Sequence, residues 1–181
     1  PLAFANAWLR ADGESRVNDA HLRMKANSMA DDYQTLFGGL AKEFGVTLVA
    51  GSIALPDPRI EHGKLLVGTG ALYNSSVVFD RNGAAQGKPQ RQLLPTYEEQ
   101  TYIQPSPDHQ LNVIDTPAGR LGILIGSDSW YPEHYRTLNE HGAQMIAVPA
   151  FIMGKNRQIE AAIQTIGKFL RPGAEVARGA I

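Results

Sequence analysis

Residues 119–136, GRLGILIGSDSWYPEHYR, gather most of the side chains with chemical capacity. Ser127 and Ser129 flank Gly126, Asp128 stands between them, and His134 and His141 follow. A serine hydroxyl can attack a carbonyl or nitrile carbon once a neighbouring base takes its proton. The spacing identifies no such base, so Ser127 is only a weak nucleophile candidate, and turn hydrogen bonding is the simpler reading of both hydroxyls. Asp128 reads as a structural hydrogen-bond partner at the turn rather than as an acid. His134 and His141 sit about two helical turns apart, too far to chelate one metal, and read as solvated. Upstream, Lys88, Gln90 and Gln92 share one strand face, with Lys88 about 13 Å from Gln92 at strand rise. Glu98 and Glu99 add two carboxylates, and Gly87-Lys88 lacks the glycine-rich lead of a phosphate loop. With no cysteine in the 181 residues, there is no thiol nucleophile, thiolate metal site or disulfide.

These groups depend on the elements that carry them. Leu121, Ile123, Leu124 and Ile125 form a short apolar run suited to a strand covered on both faces. Gly126 stops it, Pro132 suits the first turn of a helix, and Glu133 suits its positive end. Strand, sharp turn and helix is the arrangement in which α/β enzymes lift a nucleophile clear of the sheet. Here the residue at the turn has no side chain.

Around that centre, Leu2-Ala3-Phe4 reads as the end of a strand and residues 10–16 as loop. Residues 28–44 read as a helix whose stripe is Tyr33, Leu36, Phe37, Leu40 and Phe44, with Gly45 as its stop. Strands are expected over 46–53, 71–80, 84–94, 111–116 and 143–149, with 56–70 and 95–108 as loops. Asn82-Gly83 marks a hairpin turn. The strand–helix–strand order over 121–149 favours parallel pairing, so the sheets should be mixed. A second amphipathic helix is expected over 157–170.

Composition excludes several function classes. Seventeen basic and eighteen acidic residues give a formal charge of −1, which offers no electrostatic case for nucleic acid or an anionic membrane. No apolar run approaches the ~18 residues of a membrane span, and the composition suits a cytoplasmic protein. Residues 1–181 read as a single domain.

The ordered set of motifs resembles the carbon–nitrogen hydrolase (nitrilase/amidase) superfamily. It is carried by Val49-Ala50-Gly51-Ser52, by Tyr73-Asn74-Ser75 and by Phe79-Asp80-Arg81-Asn82-Gly83. Leu93-Leu94-Pro95-Thr96-Tyr97-Glu98-Glu99 and Thr116-Pro117-Ala118-Gly119-Arg120-Leu121-Gly122 continue it, and Asp128, Tyr131-Pro132-Glu133, Tyr135-Arg136, Gly142-Ala143 and Val148-Pro149 complete it. The resemblance implies an α-β-β-α sandwich that pairs through its helices into homo-oligomers, and chemistry at amides and nitriles without cofactor or metal. It also implies strands before Pro1 and after Ile181.

That chemistry uses a Cys nucleophile, a Glu that carries the proton and a Lys that stabilises developing charge. On this resemblance the Cys position reads Gly126, the Lys position Gln92 or Gln90 and the Glu position Asn6. Gln92 is preferred, because Arg91 then matches an Arg that often precedes the Lys, and Glu98 and Glu99 follow a second family glutamate near the pocket. The expectation is a silent member acting as a scaffold or binding subunit. Its neutral pocket would be formed by Asn6, Gln92 (or Gln90) and Gly126 beside Ser127 and Asp128, and would suit a small polar neutral molecule. The alternatives are an active hydrolase that uses other residues and a structural domain of a larger enzyme.

Overall fold

The computed structural model describes residues 2–11, 15–107 and 109–150. Helices α1 (Leu2–Arg10) and α2 (Arg16–Tyr33) lead through one widened turn, Gln34–Gly38, into α3 (Gly39–Phe44). Strands β1 (Leu48–Val49), β2 (Ile53–Pro56), β3 (Arg59–Glu61), β4 (Lys64–Leu66), β5 (Leu72–Phe79) and β6 (Ala85–Arg91) follow. Strands β7 (Val113–Thr116) and β8 (Gly119–Ile123) precede α4 (Pro132–Glu140) and β9 (Met145–Ala147).

In the first sheet β1 and β2 pair in turn along one side of β5 and β6 pairs along the other, all antiparallel. In the second sheet β7 and β8 form an antiparallel hairpin and β8 lies parallel to β9, as a crossover through α4 requires. Side-chain alternation fixes the layers. Val77 and Phe79 of β5 pack with Ala26, Ala30, Tyr33 and Ala41 of the long helix. Val78, on the opposite face of β5, packs with Leu121, Ile123 and Ile125 of the second sheet. Leu124 points the other way, to Tyr135 and Leu138 of α4. The order is helix, sheet, sheet, helix, as the resemblance implied.

The long helix differs from its expected form. It begins at Arg16, and its inward stripe is Ala26, Ala30, Tyr33, Phe37 and Ala41. Leu36 is 56% exposed, Phe44 is 68% exposed and Leu40 is half-buried. Alanine lets a helix lie close to a sheet, so the small residues define the contact and the large apolar ones flank it. Gly38 sits where the helix meets the β5–β6 turn: a Cβ there would stand 2.7 Å from the Gly83 carbonyl oxygen. Gln34 ties this corner together, donating to the Gly83 carbonyl at 3.2 Å and accepting from the Leu65 N–H at 3.0 Å.

Two further expectations are corrected. Residues 2–10 are helical rather than extended: Ala7 and Ala11 are buried against Ala20, with Phe4 and Trp8 packed beside them at helical spacing. Residues 56–70 are not plain loop, since β3 and β4 form a hairpin whose turn, His62-Gly63, has positive φ at both positions. The helix expected over 157–170 lies outside the described residues.

Candidate active site

The site is built where β8 runs out. Ile125 is still extended, and Gly126 turns with φ +50° into the short 3-10 turn Gly126–Trp130. The backbone of the turn is held against the exit of β9, with the Leu124 N–H donating to Ala147 O and the Gly126 N–H to Pro149 O, both at 3.0 Å. This left-handed backbone suits glycine, which has no Cβ to crowd the carbonyl. A Cβ placed on Gly126 would meet one neighbour within 4 Å, Gln92 Nε2 at 3.7 Å. The turn therefore has room for a side chain that it does not carry.

Gln92 is 2% exposed and its amide is fully engaged. Its Oε1 accepts from Asn74 Nδ2 at 2.8 Å, and its Nε2 donates to Ser127 Oγ at 3.1 Å and to Glu99 Oε2 at 3.4 Å. Glu99 Oε2 also accepts the Thr96 N–H at 2.7 Å. Ser127 Oγ donates to the Leu94 carbonyl at 2.6 Å. A backbone carbonyl cannot take that proton away, so the hydroxyl is spent on holding the loop and gains no base. Gly126, Ser127, Gln92, Asn74, Glu98 and Glu99 line one cavity of about 610 Å³, with Ser52, Thr96 and Trp130 among its other walls.

Asp128 lies beneath this cavity rather than in it. It has no solvent exposure, and its carboxylate accepts the Leu93 N–H at 2.9 Å and 3.1 Å and the Leu94 N–H at 2.8 Å. Burial raises its pKa above the usual 3.8, while those N–H groups and the nearby His134 pull the other way. Its part is to fasten the chain after β6 to the turn, and it is not a ligand contact. The two histidines also have structural partners: His134 Nδ1 meets the Asp128 carbonyl at 2.7 Å, and His141 Nδ1 meets the Leu111 carbonyl at 3.1 Å. His141 is exposed as expected, whereas His134 is half-buried. Among the described residues no three His, Cys, Asp or Glu side chains come together as a metal site.

Gln90 is buried elsewhere. Its Nε2 donates to Arg91 O at 2.9 Å and Gln110 O at 3.0 Å, and its Oε1 accepts from the Asn112 N–H at 2.9 Å. Lys88 lines a separate cavity of about 320 Å³ with Arg59 and Arg91. Asn6 is also elsewhere: it is exposed on α1 and lines a depression with Arg10, Arg23 and Asn27. The convergence of Asn6 with Gln92 and Gly126 therefore fails, because a helix carries Asn6 on its outer side. The expected neutrality fails too, since Glu98 and Glu99 both line the cavity. Sequence reasoning missed Asn74, Ser52 and Trp130 as site residues. Asn74 had a usable signal, its position across the hairpin from the glutamines.

Layers of helix, sheet, sheet and helix around a strand-to-helix turn define the nitrilase type of α/β fold. The chain belongs to the carbon–nitrogen hydrolase family, whose model, "Carbon-nitrogen hydrolase", matches residues 6–167. It is similar to the deaminated glutathione amidase of Yersinia enterocolitica, with 28% identity over 158 residues, covering 82% of this chain and 48% of that protein. A nitrilase of Pyrococcus abyssi is 34% identical over 116 residues, covering 64% of this chain and 38% of that protein. The crystal structure of a carbon–nitrogen hydrolase from Helicobacter pylori G27 superposes with a TM-score of 0.63 at 27% identity, over 80% of this chain and 48% of that one. An amidase from Nesterenkonia sp. AN1, described with acrylamide added to its active-site cysteine, shares the fold at a TM-score of 0.58 and 21% identity, over 74% of this chain and 48% of that one. The chain thus spans between 38% and 48% of the length of these relatives. No helix among its described residues is long and apolar enough to cross a membrane.

Proposed function

We propose that this chain is a silent form of the carbon–nitrogen hydrolase site, a binding or scaffolding module that does not cleave amides or nitriles. One observation carries the reading. Gly126 occupies the head of the turn, and a Cβ there would stand 3.7 Å from Gln92 Nε2; on the family resemblance these are the places of nucleophile and charge-stabilising cation, and here they are a glycine and a neutral amide. The relative from Nesterenkonia sp. AN1 is described with an active-site cysteine, and this sequence has no cysteine. Ser127 does not substitute, because its proton is held by the Leu94 carbonyl. Without a nucleophile there is no covalent intermediate to form, and without a cation nothing offsets the charge on a developing tetrahedral oxygen.

The test is an ammonia-release assay with the purified chain on short aliphatic amides and nitriles. No release above buffer is expected. Release that disappears in Ser127→Ala would overturn the reading and favour an active hydrolase built on other residues.

A further inference from the structure

We propose that the cavity at Gly126 takes a small organic cation, an alkylammonium group, rather than a neutral amide. The inference rests on reading that cavity as the silent reaction site, and it names the ligand class. It begins with hydrogen-bonding capacity. The two Nε2 hydrogens of Gln92 are committed to Ser127 Oγ and Glu99 Oε2. Asn74 Nδ2 is engaged with Gln92, Ser127 Oγ donates to Leu94 O, and the Thr96 N–H is held by Glu99. The side-chain donors of Gln92 and Ser127 are thus spent on the wall itself.

Acceptors are left over. Glu99 makes both of its bonds through Oε2, which leaves Oε1 available, and Asn74 is bonded through its nitrogen, which leaves Oδ1. Glu98 adds a second carboxylate at the exposed edge. A ligand that brings donors fits these acceptors, and because the Ser52 and Thr96 hydroxyls and the Trp130 N–H also line the cavity, it is charge that separates an ammonium from an amide. Charge points the same way. The ionisable side chains lining the cavity are both carboxylates, and no Lys, Arg or His joins them among the described residues. A lysine at position 92 would offset Glu99; glutamine does not. Trp130, 55% exposed, adds aromatic surface at the same cavity, and ammonium groups are attracted to indole faces.

Calorimetric titration of the unmodified chain with propylammonium, propanamide and propanoate separates the possibilities by charge at nearly constant size. Propylammonium should bind at least about tenfold more tightly than propanamide, as one partly solvated charge pair allows, and propanoate should not bind. Added salt should weaken propylammonium binding and leave propanamide unchanged. Glu99→Gln should remove the preference, and Gln92→Lys should abolish propylammonium binding by placing a cation beside Glu99. Trp130→Leu alters an exposed position and should weaken propylammonium by about threefold. Equal binding of amide and ammonium, no ammonium binding at all, or a preference insensitive to salt would overturn the inference, even if the Glu99 variant failed to fold. Ammonia release from propanamide would instead defeat the silent-site reading. Absence of ammonium binding would defeat only this inference.

Discussion

Replacing Asp128 with alanine should unfasten the turn from the first sheet. The carboxylate receives the Leu93 N–H on both oxygens and the Leu94 N–H on one, at 2.8 Å to 3.1 Å. Leu93 is 2% exposed, so its N–H has no solvent to turn to, whereas Leu94 is half-buried. One buried donor left without a partner costs about 1–3 kcal/mol, and a half-buried one adds a fraction of that. The expected loss is about 2–4 kcal/mol, read by urea unfolding at neutral pH. The loss should also depend on pH. Burial raises the folded-state pKa of Asp128 above 3.8, so the folded chain holds this proton more tightly than the unfolded chain does. Stability from the group is then fully present below the unfolded value and is lost as pH rises through the folded one. The gap between the unmodified chain and Asp128→Ala should therefore be widest below pH 3.8 and narrow as pH rises through the folded value. Asp128→Asn keeps one acceptor oxygen and should lose less, with no titration in this window. A loss below about 1 kcal/mol, or a gap that widens with pH, would refute the argument.

Phe79 has no exposure beneath the long helix, and Phe79→Ala should cost about 3–5 kcal/mol, whereas Leu36→Ala at the exposed flank should stay within about 0.5 kcal/mol in the same unfolding assay. Gly126→Cys alone should give no amide or nitrile turnover, because Gln92 still supplies no cation. The variant should also lose about 1–2 kcal/mol, since a side chain is strained at φ +50°. Association of copies through the outer helices is proposed from the family resemblance, and sedimentation of the purified chain should show a species larger than one copy; a monomer at every concentration tested would count against it.

The layered fold was legible because β-strand alternation leaves a direct trace in sequence. Leu121, Ile123 and Ile125 face one layer and Leu124 the other, and the continuous apolar run shows that both faces are covered. Tyr33 and Phe37 were read on the correct helix face, but Leu36, Leu40 and Phe44 were added to it, because a search for large apolar side chains passes over Ala26, Ala30 and Ala41, which make the contact. Strand was assigned to residues 2–4 because a short apolar run does not by itself distinguish strand from helix. What excludes strand is the packing of Phe4, Ala7 and Ala11 with Ala20, a tertiary fact. The same error carried Asn6 into a site that it does not reach.

The choice between Gln90 and Gln92 turned on register, which hydrophobic patterning does not display. Near the hairpin turn, Phe79 faces Ala85 and Val78 faces Gln86. Continued without interruption, that register sets Asn74 opposite Gln90. Instead Ser76 faces Gln90 and Ser75 faces Arg91, because the ladder slips between Ser76 and Val78. The slip falls at Gly87, with φ +66°, and Pro89, which has no N–H to give to a ladder, so a bulge is the tolerable place for both. Two residues are taken up there, and the Gln92 N–H now donates to the Asn74 carbonyl at 2.8 Å. A slip of two keeps the side chains on their original faces, so hydrophobic patterning does not register it. Gly87 and Pro89 are thus the residues that bring Gln92, rather than Gln90, to the side of Gly126. A glycine and a proline two positions apart in a strand beside a tight hairpin are the sequence mark of that choice.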